Sequence, residues 1–168
     1  MPKVRFFILI TFSDNHILID FLSLITRVLG KYDFFTQDIR YSFDIAGNLI
    51  TDSRYKMKIA SFKKLQSLDK CKYLLKKTGQ IQDKLISQGY SNFQLTCGYL
   101  NRDHVISLYN TASPERVYVK KNLFAQIQLL FKNGKVSTSK LENKEFSVPD
   151  TKKFFEDLQS IYKDQVTK

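Results

Sequence analysis

The sequence predicts an α+β fold: a ferredoxin-like βαββαβ antiparallel sheet with its helices on one face, extended by a C-terminal β-hairpin and helix. Three observations lead there. Hydrophobic periods alternate between strand and helix spacing in the order strand, helix, strand, strand, helix, strand. The opening run Lys3 to Phe12 is apolar on both faces towards its end, as a central strand is. Asn133-Gly134, between two strand-like runs, is a strong two-residue hairpin signal.

The elements follow in order. Lys3 to Phe12 reads as the first strand. Ser13-Asp14-Asn15 supplies a cap for a helix whose apolar residues run from Ile17 to Leu29 at helical spacing, and Gly30 stops it. Tyr32 to Phe43 reads as the second strand, residues 44 to 53 as a loop, and Arg54 to Phe62 as the third strand. Ser67 or Asp69 caps a second helix ending at Gly89, with Leu68, Cys71, Leu75, Thr78, Ile81 and Leu85 inward. Phe93 to Tyr99 is the fourth strand. Beyond it, Asn101 to Tyr109 reads as a short helix. Arg116 to Lys120, Leu123 to Phe131 and Lys135 to Ser139 read as strands. Asp150 caps a last helix with Phe154, Leu158 and Ile161 inward.

At 168 residues the chain is expected to be a single α+β domain over 1–168. A chain of that size buries roughly 68–70% of its unfolded surface, so it needs no staples. The two cysteines, Cys71 and Cys97, suggest neither a disulfide framework nor a four-ligand zinc site, and two histidines cannot make a histidine cluster. The start MPKVRFFILITFSD reads as a strand and not as a signal segment. No apolar stretch approaches the ~20 residues that span a bilayer. The protein is therefore expected to be cytoplasmic. No motif points to a metal or cofactor: there is no phosphate-binding glycine loop and no nucleophile elbow.

The net charge is +11, with 21 Lys against 6 Arg. That ratio runs against arginine-based recognition of phosphates or base edges. An AT-rich coding sequence writes the same composition on any protein. The charge is nonetheless localised: Arg54 to Lys84 carries ten basic residues against Asp69 and Asp83, a balance of +8. Arg54, Lys56 and Lys58 alternate along the third strand and so share one face. In the predicted architecture that is the open face, with Lys3, Arg5, Gln94 and Thr96 beside them. Such a face can hold phosphates, although RYKMKIASF lacks the stacking aromatics of RNA-binding sheets. Lys70, Lys77 and Lys84 flank the apolar stripe of the second helix and read as snorkelling chains. A pairing of Cys97 with His104, and a cation between Asp44 and Asp52, are both outweighed by the ordinary reading of core and loop.

Several stretches resemble a known family. "PKVRFFILITFSD" is similar to the opening strand of the bacterial proteins of domain-of-unknown-function family 4416. "YSFDIAG" stands where they have Y-Y-x-x-E-M-G, and "KIASFKKL" matches their K-x-x-S-F-x-x-L. "CGYL" takes the place of D-P-G-Y-L, "RVYVKKNLFAQIQL" that of R-I-Y-L-G-x-G-I-Y-A-E-V-T-L, and "FSVPD" resembles W-T-Y-P-D-Y. The chain departs from the pattern at polar positions: Thr96 or Cys97 replaces the Asp of D-P-G-Y, Gln126 the Glu of A-E-V-T-L, and Glu115 a basic residue. Val148 and Thr151 replace aromatic residues. The resemblance implies a fold but no established activity.

The ligand-binding candidates are thus Asp44, Arg54, Lys56, Lys58, Tyr99, Arg102, Arg116 and Gln126, with Tyr99, Arg102 and Asp44 expected on one rim. No residue is singled out as catalytic. The first expectation is a binding module for an anionic ligand, RNA or a nucleotide, on the basic sheet face. The alternatives are a weakened enzyme acting on a phosphorylated substrate, and a partner-binding adaptor without ligand chemistry.

Overall fold

The computed structural model describes the chain except residues 1, 37, 38, 41, 44–48, 51–54, 140 and 141. Strand β1 (Lys3–Phe12) leads into helix α1 (Ile17–Leu29). Then come β2 (Tyr32–Phe35), β3 (Ile39–Arg40), β4 (Ser42–Phe43), β5 (Leu49–Ile50), β6 (Lys56–Phe62) and β7 (Gln66–Ser67). A 3-10 turn, Leu68–Lys70, opens helix α2 (Cys71–Ser87). The second half holds β8 (Phe93–Leu100), β9 (His104–Tyr109), β10 (Val117–Lys120), β11 (Leu123–Lys132) and β12 (Lys135–Thr138). Helices α3 (Lys144–Ser147) and α4 (Pro149–Val166) close the chain.

The fold is α+β. The main sheet runs β10-β11-β9-β8-β1-β6-β2, with β12 on β11, β3 on β6 and β7 on β1. Its described pairings are antiparallel. β1 is central, with Ile8 opposite Ala60 of β6 and Cys97 of β8.

Alternation along β1 sends Val4, Phe6, Ile8 and Ile10 to one face and Arg5, Phe7 and Leu9 to the other. The first set joins a core with Phe21, Leu24 and Ile25 of α1 and Leu74, Ile81 and Leu85 of α2. The second joins Met57 and Ile59 of β6 with Phe146 of α3 and Phe155, Leu158 and Tyr162 of α4. The Phe7 ring meets Phe155 edge-on at 5.0 Å between centroids, a geometry worth about 0.5–1.5 kcal/mol beyond the area buried. Helices therefore cover both faces of the sheet.

Arg5 lies in this second core, fully buried. Its Nε donates to Ser61 Oγ at 2.7 Å and one terminal nitrogen to Gln165 Oε1 at 2.7 Å. The other pairs with the Asp33 carboxylate. One guanidinium thus ties β1 to β6, to β2 and to the end of α4, and it satisfies the rule that a buried charge must be paired.

Several expectations are corrected. Asn101 to Tyr109 is not a helix. The Asn101 side chain accepts the backbone N–H of Asp103 at 2.9 Å and of His104 at 2.7 Å. That closes a tight turn and sends Val105 to Leu108 back as a strand buried on both faces. Phe93 to Asp103 is thus one strand and its hairpin turn. The Tyr32 to Phe43 strand breaks after Phe35, where Thr36 donates its backbone N–H to Ile59 and its hydroxyl accepts the Ile59 N–H at 3.0 Å. Within the expected loop, Leu49–Ile50 pairs with Ser42–Phe43. In α2 it is Leu74 that is buried, while Leu68 is exposed. Pro149, not Asp150, begins α4, and Val148 takes the cap position. The Asn133-Gly134 hairpin forms as expected, with φ of 52° and 75°, the pair of positive angles that a type I′ turn needs.

Gly98 is needed for space. A Cβ there would run into the Ile106 carbonyl oxygen and crowd the Phe7 ring at 2.8 Å. Gly98→Ala is expected to destabilise by about 1–3 kcal/mol, read as a lower urea midpoint at unchanged slope; an unchanged midpoint would contradict the packing. Cys71 and Cys97 are buried free thiols, each pushed up to about 12 by burial. A thiol reagent at neutral pH is expected to label them only as fast as the protein opens. Labelling faster than opening would place a thiol at the surface.

Candidate functional site

The structure separates most of the predicted site residues. Asp44 and Arg54 lie outside the described residues. Lys56 and Lys58 do share a face, but it is the face of Ala60 and Phe62, on the α1 side of the sheet. Met57 and Ile59 turn to α4 instead. Lys56 Nζ donates to Asn15 Oδ1 at 2.8 Å. Lys58 Nζ lies 4.6 Å from the Phe35 ring centroid and 3.3 Å from Thr36 O. Arg5 points to the opposite face, so the two ends of the expected basic surface never meet. An open phosphate-binding sheet does not form, because the C-terminal helices occupy the face that the first hundred residues leave bare.

Tyr99 packs half-buried on the α1/α2 side, and burial pushes its phenol up to about 12. Arg102 is exposed in the β8–β9 turn, whose Arg102 carbonyl accepts Gln159 Nε2 of α4 at 2.8 Å. The two do not form a common rim.

Arg116 and Gln126 are brought together. The Arg116 guanidinium lies 3.6 Å over the Tyr109 ring, and one terminal nitrogen also donates to the Thr111 carbonyl and hydroxyl at 3.0 Å each. Tyr109 OH accepts Asn143 Nδ2 at 2.8 Å, and Asn143 Oδ1 accepts Gln126 Nε2 at 3.2 Å. The Asn143 N–H donates to Gln128 Oε1 at 2.6 Å, and Gln128 Nε2 to Ser107 Oγ at 2.8 Å. Gln126, Gln128 and Ser107 are buried. These are neutral amides and hydroxyls. They bind β9, β11 and the approach to α3 into one unit, and they offer no proton-transfer group of matched acidity. Beside them, Glu142 has a carboxylate oxygen and Arg116 its Nε buried without a hydrogen bond among the described residues. Burial raises the Glu142 carboxyl, and Lys152 offsets this in part.

A different place holds the charge. A cavity of about 670 Å³ opens where the end of α1, the β6–β7 turn and the start of α2 meet. Its floor is Phe6, Leu29, Phe62 and Leu74, all part of the α1/α2 core. Lys31, Lys63, Lys64 and Lys70 stand at its edge, with Tyr73 beside them. Among the described residues no carboxylate lines it. A second, shallower cleft of about 650 Å³ shares Lys63 and Lys64 and continues to Ile161, Gln165, Lys168 and Asp164. Sequence reasoning counts Lys63, Lys64 and Lys70 in the basic stretch but does not converge them on a site, and it passes over Lys31. The available signal is Lys63-Lys64 directly after a strand and before a helix cap.

A family model, the domain of unknown function DUF4416, matches residues 2–162. The chain belongs to this family. No curated protein and no solved structure matches the chain. In this DUF4416 protein the stretches that stand in the place of family motifs are spread over the fold. Gly98-Tyr99-Leu100 ends β8, and Arg116 and Gln126 sit in the amide cluster. Phe62 and Leu65 of "KIASFKKL" line the two cavities instead.

Asn143→Ala would strip partners from Gln126 and Tyr109 together. It is expected to cost about 1–3 kcal/mol, and an unchanged urea midpoint would show that the cluster does not hold the strands. Glu142 gives a pH signature. Burial raises its folded pKa, making it a weaker acid, so its contribution to stability is present at low pH and is lost as pH rises through that raised value. Glu142→Gln should therefore stabilise at neutral pH and flatten the change in urea midpoint between about pH 4 and 7. Parallel profiles for the two proteins would contradict the buried carboxyl.

Proposed function

We propose that this DUF4416 protein is a binding module for an anionic ligand, and that the ligand is held in the lysine-edged cavity and not on a sheet face. The half β8-β1-β6-β2 with α1 and α2 on one side is read as a ferredoxin-like unit, and its strand order supports that reading. The cavity lies at the end of that unit where α1 stops and α2 begins.

The observation that carries the proposal is the convergence of Lys31, Lys63, Lys64 and Lys70 on one concave, apolar-floored space with no carboxylate among its described lining. Four ammonium groups around an opening add their fields. Each contributes on the order of 1 kcal/mol at 4 Å in bulk water, more where the apolar floor excludes water. An RNA platform on the sheet has less support, because both faces carry helices and Lys58 already stands on Phe35. A weakened enzyme has less support: the cluster around Asn143 consists of amides and hydroxyls, with Glu142 and Arg116 beside it but outside the lysine-edged cavity.

The test is a calorimetric titration with pyrophosphate, ATP and decyl phosphate at low and high salt. At least one anion should bind, more weakly at high salt because the lysines are exposed and screened over about 10 Å at 0.1 M. Lys63→Gln with Lys64→Gln should abolish or weaken binding while stability stays within about ±0.5 kcal/mol. Lys56→Gln with Lys58→Gln should leave binding unchanged. Retained affinity in the first pair, or loss only in the second, would move the site elsewhere.

A further inference from the structure

Resting on that reading, we infer that the ligand is amphipathic: a single anionic head, phosphate or carboxylate, on an alkyl or aryl body without hydrogen-bonding edges. The inference comes from the floor and not from the lysines. Phe6, Phe62 and Leu74 are buried and form the back of the space, continuous with the main core, while partly buried Leu29 and half-exposed Tyr73 supply apolar surface that a ligand body can cover. Apart from the lysines, Gln66 is the only side chain in the described lining able to pair with a polar ligand edge deep in the space; Tyr73 is half exposed, at the mouth.

A nucleobase seated there would surrender water from its ring nitrogens and exocyclic groups and find almost nothing to replace it, which is costly. A hydrocarbon body surrenders nothing. Each methylene that it buries gains up to about fourfold in affinity. The volume of about 670 Å³ is that of a small-molecule pocket.

The head group has a defined place. Lys63 and Lys64 follow β6, Lys31 follows α1, and Lys70 precedes α2, so four exposed lysines from the ends of three elements line the space beside its buried floor. α2 continues directly from the 3-10 turn Leu68–Lys70, whose Asp69 sits at the positive end of the helix. The Asp69 carboxylate, held ionised by the Ser67 hydroxyl and by neighbouring Lys70, lies outside the lining and offsets part of the Lys70 charge. Cations at the edge and apolar side chains at the base thus divide the work: charge fixes the head, and core side chains accept the tail.

The experiment is a chain-length series of hexyl, octyl and decyl phosphate, each below its micelle concentration, with inorganic phosphate, ATP and a labelled oligouridylate as comparisons. Affinity should rise roughly 14-fold for each two added carbons until the space is filled. Lys63→Gln with Lys64→Gln should lower every affinity in the series by a similar factor and leave that increment unchanged. Phosphatidylcholine vesicles with and without phosphatidic acid separate two sources of the same chemistry. Co-sedimentation only with phosphatidic acid identifies a lipid head and tail; alkyl phosphate binding without vesicle binding identifies a free ligand; either supports the inference. Lysine-dependent binding of phosphate, ATP or oligouridylate with no chain-length increment would overturn the amphipathic ligand and leave anion binding standing. No binding by any of them would overturn both.

Discussion

A central strand with no solvent face organises this protein. β1 buries Phe6, Ile8 and Ile10 under α1 and α2, and Phe7 and Leu9 under α3 and α4. Such a strand can carry a charge only where partners wait for it. Arg5 does so because Ser61, Gln165 and Asp33 come to it from three separate elements. A guanidinium suits this position because it presents planar donors in several directions, which the point charge of a lysine does not. Among the described residues it is the one charged side chain that is fully buried. Its pairing also fixes the end of α4 over β1, and α4 is what closes the second face.

That closure decides where ligand chemistry can be. With helices on both faces of β8, β1 and β6, the basic stretch has no open platform; the exposed sheet surface at β10 and β11 lies away from it. Lys56 stands beside Asn15 ahead of α1, and Lys58 on Phe35. Free concave surface is left at the ends of elements. The larger space lies where α1 ends at Gly30, where β6 turns at Lys63-Lys64 and where α2 starts after Lys70. The floor is apolar because it is the unsealed end of the first core; the edge is basic because element ends there are exposed and lysine-rich.

Much of the fold is legible in the sequence. The apolar period of Ile17 to Leu29 and the two-residue hairpin at Asn133-Gly134 depend on neighbours in the chain, and both form as read. The stretch after Leu100 is misread because Asn101 and Asp103 look like cap residues in either setting. Only the pairing of His104 to Tyr109 with both β8 and β11 decides for a strand, and β11 lies well downstream. The covered second face is illegible for the same reason, since the helix that covers it comes more than 130 residues after the strand it covers. Of the candidate site, Arg116 and Gln126 come together through the resemblance. The cavity escapes a reading of the sequence, because its lining comes from β1, α1, the β6–β7 turn and α2, and no single stretch shows more than a pair of lysines.

The central claim is that the ligand enters at the end of the first core because both faces of β1 and β6, which carry the basic stretch, are closed. Backbone amide shifts recorded by NMR during titration with decyl phosphate test it most directly. The shifts should gather at Leu29 to Lys31, Phe62 to Gln66 and Lys70 to Leu74, with Lys56, Lys58, Tyr109, Gln126 and Asn143 unmoved. Shifts centred on Lys56 and Lys58, or on the Tyr109–Asn143–Gln126 cluster, with the three cavity segments unchanged, would contradict it.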